Sequence, residues 1–575
     1  MAFLTILLVL VGLWAASTFR RFYQNYVSAR KTGLPMIFLP VNHYSPVWMM
    51  LSVPIIQPLA QKLLPEWLFE PIDLATYGWE FRRGYQIFEK YGPAFILVTG
   101  GANELSLIDP ELAAEVLKRI KDFPQTDMTS VVMDIFGPSL ITSNGETWAR
   151  QRKLIAPNVN EKISGLVFGE SIRQAHQMLS SYMEDWQGVT DDTMRGCKKI
   201  AINVLGLAGF GVPLPWKEEK SRRSDGYHMT YMEATKMVVE NLIEAAVIPA
   251  KLLTLPICPP SWQEIGHAKN EFPLHTREML ESERKLQADS PEPRNNLMSM
   301  LVRLSDSSKM KEQPDLATDD ASKTAQVLSE EEVLGNLFIF TSAGFDTTAN
   351  TMAYALALLT TYPEWQEWLY EEISQVVGDR DMDGLEYNEV YPHLPRCLAL
   401  MLETMRLFTP LTHLAKQTNP HHDVQVKTST GTYYIPTNTI IYVNTVAIHL
   451  DPATWGKDSH AFKPSRWLVL PSLAPSGVDP QYTIASNIKS FPKGTFLPWS
   501  SGPRACPGQK MSQVEFVSVF MTIFGQYRCE AVKVKEGETP EEVKKRIEAI
   551  TRNSAPKLTL QMSRNRDLKV RWIRR

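Results

Sequence analysis

Cys506 stands in the run Phe496-Leu-Pro-Trp-Ser-Ser-Gly-Pro-Arg-Ala-Cys-Pro-Gly508, where every neighbour suits a thiolate ligand. Gly502 permits a backbone bend. Arg504 places a cation two residues before the sulfur, and Pro507 fixes φ and removes a backbone donor. Gly508 lets the chain turn close under the sulfur into a helix expected to begin near Gln509. Amides at a helix start favour negative charge, so a lone thiol at this junction is poised to ionise. A thiolate so placed is the kind of ligand that holds haem iron and favours O–O cleavage. A second stretch, Ala343-Gly-Phe-Asp-Thr-Thr348, lies inside a long apolar helix. Glycine there costs up to about 1 kcal/mol relative to alanine, and threonine hydroxyls bond back to the preceding turn. The combination suits oxygen activation: Gly344 leaves room beside the iron, Thr347 offers a hydroxyl, and Asp346 relays protons through water.

Two other groupings support these. Glu403 and Arg406 lie one turn apart on a helix, Cys397–Phe408, that is otherwise almost wholly apolar. A pair buried there wants further partners, and Arg466 in Phe462-Lys-Pro-Ser-Arg-Trp467 is the natural third member of a structural lock. Trp148 and Arg152, four residues apart, share a helix face.

The elements that position these residues are legible from pattern. Ser329-Glu-Glu-Glu332 is a capping box that starts a helix running to about Tyr362. Pro363 stops it and opens another through Val377. Trp148 opens a helix, 127–146 reads as an irregular apolar loop, and roughly 160–305 is helical by periodicity. Tyr91–Gly101 followed by Glu104–Asp109 reads as a hairpin around Gly100-Gly101. A strand rather than a helix follows those glycines, which argues against a dinucleotide site. Thr432–Ile435, Thr439–Val443 and Leu558–Leu560 alternate like strands. Residues 305–328 read as a polar surface linker, and 468–495 as an extended meander. The fold class is mostly α with a small β region.

The chain has 575 residues, with 60 Lys+Arg against 63 Asp+Glu, so no nucleic-acid partner is expected. Five cysteines lie far apart without a C-x-x-C pair, which argues against a disulfide framework or a zinc site and fits a reducing compartment. Phe3 to Phe19 is uncharged and mostly apolar, close to the roughly 20 residues that span hydrocarbon. Arg20 and Arg21 follow at once, which places the body in the cytosol. A cleaved signal peptide would want a positive segment before the apolar run, and none precedes it. The expected organisation is a membrane anchor at 1–20, an interfacial segment at 21–70 that includes the Pro54- and Pro58-broken stretch Trp48–Leu64, and one catalytic domain at 71–575.

The motifs together, and their order, resemble the cytochrome P450 family, in particular its microsomal, fungal members. Trp499–Gly508 is similar to the family's haem-ligand signature, with Trp499 where Phe is usual. Ala343–Thr348 resembles its oxygen-binding groove, and Glu403, Arg406 and Arg466 its buried triad. The resemblance implies that Trp148 and Arg152 hydrogen-bond a haem propionate, that Arg504 contacts the propionates, and that Lys416 stands where many relatives carry arginine. Lysine can neutralise a carboxylate but lacks the bidentate fork. His449 is read as structural. The resemblance further implies a cytochrome P450 fold behind an N-terminal transmembrane anchor, haem b with Cys506 as the axial iron ligand, and a single-pass location in the endoplasmic reticulum membrane. Electrons are expected from NADPH-cytochrome P450 reductase, docking near Arg150, Lys153, Lys493 and Lys510. The substrate is expected to be a lipophilic secondary metabolite of terpenoid, polyketide or alkaloid type. Its contacts would come from 127–146, helices near 230–256, Phe340, Ala343, Leu411–Leu414 and Asn553–Pro556, with Thr412 and His413 as polar anchors. The alternatives are a haem isomerase or dehydratase that does not use O2, and a non-enzymatic haem-binding membrane protein.

Overall fold

The structure, a computed structural model, describes residues 2–39, 41–42, 45–186, 188–217, 226–289, 294–306, 327–469 and 487–575. Most of the expected 305–328 linker and the centre of the 468–495 meander lie outside the described residues. The chain groups into two compact units. The first comprises Met1–Ser130, Leu411–His460 and Phe491–Ala505; the second comprises Val131–Pro410, Ala461–Ser490 and Cys506–Arg575.

The first unit is built on a five-stranded mixed sheet, in spatial order Met36–Phe38, Ala94–Val98, Asn103–Leu107, Thr439–Asn444 and His413–Gln417. The hairpin around Gly100-Gly101 sets its register, pairing Ile96 with Leu105 and Leu97 with Glu104. Every residue of Ala94–Val98 and Asn103–Leu107 is buried, so both faces of these strands are covered. One covering element is helix α1 (Ala2–Arg30). Its Asn25 amide donates to the carbonyls of Thr99 and Gly101 at 2.9 and 3.0 Å, which fastens the helix to the hairpin loop. Helix α2 (Pro110–Lys118) follows, capped by Asp109, whose carboxylate accepts from the Leu112 N–H. Buried His449 accepts the Leu497 N–H at Nε2, 2.9 Å away, so it holds the chain that leads to the cysteine loop.

No helix among the described residues is long and apolar enough to cross a membrane. The apolar run of α1 gives way to Arg20 and Arg21, and the C-terminal half of the helix docks on the sheet through Asn25. The transmembrane anchor expected at 1–20 is therefore not shown.

The second unit is mainly helical. The helices that matter to the site are α3 (Gly145–Ile155), α4 (Glu161–Trp186), α5 (Thr193–Phe210), α6 (Tyr231–Glu240), α7 (Pro260–Asp289), α8 (Glu330–Thr361), α9 (Pro395–Leu407) and α10 (Gln509–Gln526). Ser329 caps α8 in a complete capping box with Glu332, as its sequence dictates. Two small antiparallel sheets complete the unit: Val189–Thr190, Val570–Arg574 and Tyr527–Ala531 in that order, and Ser554–Pro556 with Leu560–Met562. Helix α10 buries Phe516, Phe520 and Phe524 at i, i+4, i+8, with the first two rings stacked 4.1 Å apart.

One local expectation fails. Asp127–Met133, placed in an irregular loop, is a short helix. Thr126 starts it by accepting the Thr129 N–H at Oγ1. That threonine followed by an acidic residue was a readable start signal.

Candidate active site

Almost all of α8 is buried, and its exceptions are informative. From Glu332 to Thr360 every residue is buried except Phe340, Ala343, Gly344 and Thr347. These fall at i, i+3, i+4 and i+7, one stripe of an otherwise enclosed helix. The sequence reading singled out the same four positions. A Cβ at Gly344 would point toward both Leu205 methyls of α5 at 3.5 Å, an ordinary contact, so the glycine faces a neighbouring helix as well as the stripe.

Asp346 sits beside this stripe and is buried. Its Oδ2 accepts the Thr559 hydroxyl at 2.6 Å, and Thr559 in turn accepts the Asn350 amide at 2.8 Å. On its other side Lys198 Nζ of α5 lies 3.7 Å from Asp346 Oδ1 and 3.6 Å from Glu240 Oε1 of α6. Burial pushes the Asp346 carboxyl above the usual range, and Lys198 and Thr559 only partly offset this. The Thr347 hydroxyl donates to the Ala343 carbonyl at 2.8 Å. Its donor is thus engaged within the helix while its lone pairs face the stripe, so giving a proton outward requires the hydroxyl to rotate. The sequence reading found Asp346 and Thr347 but missed Lys198, Glu240 and Thr559, which come from distant segments with no local pattern.

The cysteine loop has the shape its residues require. Gly502 has φ +69°, and a side chain there would meet the Leu117 carbonyl of α2 at 2.8 Å, so this position needs glycine. Gly508 does not: its φ is −85°, and a Cβ would lie 3.8 Å from Cys506 Sγ. Cys506 itself is solvent-accessible yet surrounded by protein atoms, which places the sulfur in a hollow instead of on an open surface. Burial pushes its thiol up, while the Gly508 N–H and the Arg152 cation favour the thiolate. Arg152 of α3 feels the same coupling in reverse: burial lowers its pKa and the Cys506 sulfur raises it. Trp148, one turn earlier on α3, is buried. In the first unit Trp499 packs edge-on to Phe496 at 6.3 Å.

Lys416, also in the first unit, is buried, and its ammonium donates to the neutral Gln125 at 2.8 Å. Burial, and secondarily Arg504, lowers its pKa to about 7. Among the described residues Lys416 has no carboxylate partner, and an anionic group beside it would relieve its burial and its repulsion from Arg504. The donors fit haem unit by unit: the second unit offers the Cys506 sulfur with the Gly508 N–H and Arg152 to favour its thiolate, and the first offers Lys416, a buried cation suited to a propionate.

Glu403, Arg406 and Arg466 meet as one cluster in the second unit. Arg406 Nε and Nη2 donate to the two Glu403 oxygens at 2.8 and 2.9 Å, and Arg466 Nε donates to Oε1 at 2.9 Å. The Trp467 indole N–H and the Lys463 backbone N–H complete the carboxylate's shell at 3.0 and 2.9 Å. Glu403 and Arg406 are fully buried. Glu403→Gln leaves two guanidinium groups without their anion and should cost about 3–5 kcal/mol, read as a lower midpoint in urea unfolding of the cofactor-loaded protein.

Two expected roles are corrected. Arg150 is not a free docking cation: it pairs with Glu332 and donates to the Val327 carbonyl. Glu332 also accepts from Gln151, which bridges to Asn336, so Arg150 serves to brace α3 against α8. His413 is not a substrate anchor: its Nδ1 lies 2.6 Å from buried Glu80, with the ring edge-on to Tyr77 and Tyr442.

Comparison with known proteins decides what this site belongs to. The cytochrome P450 family profile matches residues 79–559. The chain belongs to the cytochrome P450 family. The P450 is 31% identical to a phomenoic acid biosynthesis cluster cytochrome P450 monooxygenase of Leptosphaeria maculans, over 96% of each chain. It is 29% identical to a cytochrome P450 monooxygenase of Arthrobotrys oligospora, again over 96% of each. The crystal structure of a cytochrome P450 (CYP102L1) superposes with a TM-score of 0.61 over 85% of this chain and 93% of the other, at 16% identity, so the fold is shared. This P450 is a haem-thiolate monooxygenase with haem as its cofactor.

Proposed function

We propose that this P450 inserts one atom of O2 into a lipophilic secondary metabolite, with Cys506 as the residue that would hold the haem iron. The observation that carries the reading is the accessible stripe Phe340, Ala343, Gly344 and Thr347 on a helix that is otherwise buried. It offers an apolar wall for a substrate beside a hydroxyl and a carboxyl for proton delivery. The biosynthesis-cluster name of the Leptosphaeria relative supports a role in secondary metabolism. Haem, when bound, supplies the iron at which O2 is reduced: RH, O2, two electrons and two protons give ROH and water. Cys506 would hold that group through its sulfur, the Gly508 N–H and Arg152 would stabilise the thiolate charge, and Trp148, Arg152, Lys416 and Arg504 are the residues that would bind the propionates. Asp346 carries protons toward Thr347 at the stripe, and Lys198 and Thr559 hold its carboxyl in position. Electrons come from NADPH through cytochrome P450 reductase.

The reading includes the endoplasmic reticulum membrane, with the catalytic domain cytosolic. Exposed apolar residues favour this: Ile6, Leu10, Leu13 and Trp14 on α1, and Leu63 and Trp67 further along the chain. A cleft of about 840 Å3 in the first unit, lined by Trp14, Phe19, Phe22, Leu68 and Ile72 among others, is apolar and contains no predicted site residue. It suits acyl chains better than chemistry.

The test begins by identifying the substrate from metabolites that accumulate in a strain lacking the gene. The protein is then reconstituted with reductase and NADPH under 18O2. One labelled oxygen atom in the product is expected. An unlabelled product, or turnover without NADPH, would overturn the monooxygenase reading in favour of isomerisation or dehydration.

A further inference from the structure

We propose that His228, His267 and Glu271 form a binding site for a divalent transition-metal ion of the zinc type, separate from the haem chemistry. All three belong to the second unit. Helix α7 presents His267 and Glu271 four residues apart, on one face. His228 comes from the segment just before α6. One ligand atom from each residue lies within 4.8 Å of the other two. Zinc bonds of about 2.0–2.1 Å to nitrogen or oxygen in a tetrahedral site require ligand atoms roughly 3.4 Å apart, so only a small contraction is needed. His228 is exposed and can supply it, and its ring already stacks on that of His267 at 4.0 Å.

The surroundings fix the ligands before any ion arrives. Buried Glu271 accepts the backbone N–H groups of His228 and Met229 at 3.0 Å, and His228 Nδ1 lies 2.7 Å from its Oε1. These two backbone donors hold the carboxylate in place beside the histidines. One turn on, His275 Nε2 donates to the Met229 carbonyl at 2.9 Å and its ring stacks on Tyr227 at 4.0 Å. Tyr227 then donates to Glu278 at 2.5 Å. The 227–229 segment is thereby laid along α7 with its histidine over the acid. Such outer contacts orient metal ligands and tune their affinity. Two imidazoles and a carboxylate leave the fourth tetrahedral position for water.

An ion here would do structural work near the active site. The next residues, Thr230 and Glu233, form the capping box of α6, and Tyr231 Oη lies 3.1 Å from Thr341 Oγ1 on α8. Thr341 is the neighbour of Phe340 on the accessible stripe. Metal binding would clamp the start of α6 to α7 and so hold one wall of the substrate region. The competing account is a metal-free His228–Glu271 ion pair that fastens the same segment.

The experiment is competition between the haem-loaded full-length protein and a chromophoric zinc chelator, with zinc as the sole added metal. We expect one zinc per chain, and at least a tenfold weaker affinity in His267→Ala and in His228→Ala. The His267 side chain makes no hydrogen bond among the described residues, so His267→Ala should unfold at the wild-type temperature without zinc and lose only the zinc-induced rise. Wild-type protein that takes up no stoichiometric zinc would overturn the proposal in favour of the ion pair. So would a His228→Ala/His267→Ala variant that binds zinc as tightly as wild type, since the metal would then sit elsewhere, for instance at His421 and His422.

Discussion

Replacing Cys506 with serine should abolish the red-shifted absorption band of the reduced, CO-treated protein and bring NADPH-dependent product formation to background. The band reports sulfur ligation, which pushes electron density onto the iron and assists O–O cleavage; a serine oxygen cannot reproduce it. The loop itself should survive the change. Its bend depends on Gly502, whose left-handed φ and approach to Leu117 are untouched, and Cys506 is not part of the packed core. The other thiols provide the control. Cys197 and Cys529 are buried, with their thiols pushed up to about 12, and Cys397 is raised by burial as well. None of these presents a thiolate to a ligand. Cys258 is partly exposed but donates to the Leu252 carbonyl at 3.2 Å. Cys197→Ser and Cys258→Ser should therefore keep the band. A Cys506→Ser protein that retained it would remove this residue from the iron.

What could be read in the sequence was whatever is encoded locally. The capping box at Ser329, the stop at Pro363 and the hairpin at Gly100-Gly101 each depend on residues within a turn or two, and each appears where its pattern placed it. The Glu403–Arg406 pair was legible for a different reason: two charges in a wholly apolar helix must find partners, and Arg466 was the available one. The other two groups around that carboxylate, the Trp467 indole and the Lys463 amide, could not be read, because hydrogen-bond geometry at a 3-10 turn carries no pattern. Long-range charge pairing also escaped. Arg150 and His413 were assigned outward roles, whereas Glu332 and Glu80, remote in the chain, engage them. Lys198 was invisible for the same reason, although it partly offsets the burial that raises the Asp346 carboxyl. The docking of the C-terminal half of α1 on the sheet through Asn25 is likewise a tertiary fact that a local apolar count cannot show.

Asp346→Asn and Thr347→Ala should each lower product formation by about 10²-fold or more, the usual scale for losing a positioned proton-transfer group, while NADPH consumption continues and releases hydrogen peroxide. The two substitutions separate chemistry from folding. The Asp346 carboxyl is held above its usual range by burial, so the folded state binds its proton more tightly than the unfolded state does. Stability therefore falls as pH rises through the interval from the unfolded value to the raised folded one, and at neutral pH the ionised Asp346 is a cost. Asparagine removes that cost and can still accept from Thr559, and Lys198 keeps Glu240 at 3.6 Å. Asp346→Asn should accordingly be no less stable than wild type at pH 7 and should have lost the activity limb that declines as Asp346 ionises. Thr347→Ala loses a hydroxyl bonded to the Ala343 carbonyl, a local helix contact worth little to stability. Thr347→Ser keeps a rotatable hydroxyl at the same place on the stripe and should recover most of the coupling between NADPH use and product. Full coupling in Thr347→Ala, or an unchanged pH profile in Asp346→Asn, would mean that protons reach the site by another route, and Lys198, Glu240 and Thr559 would then be bracing for α8 and nothing more.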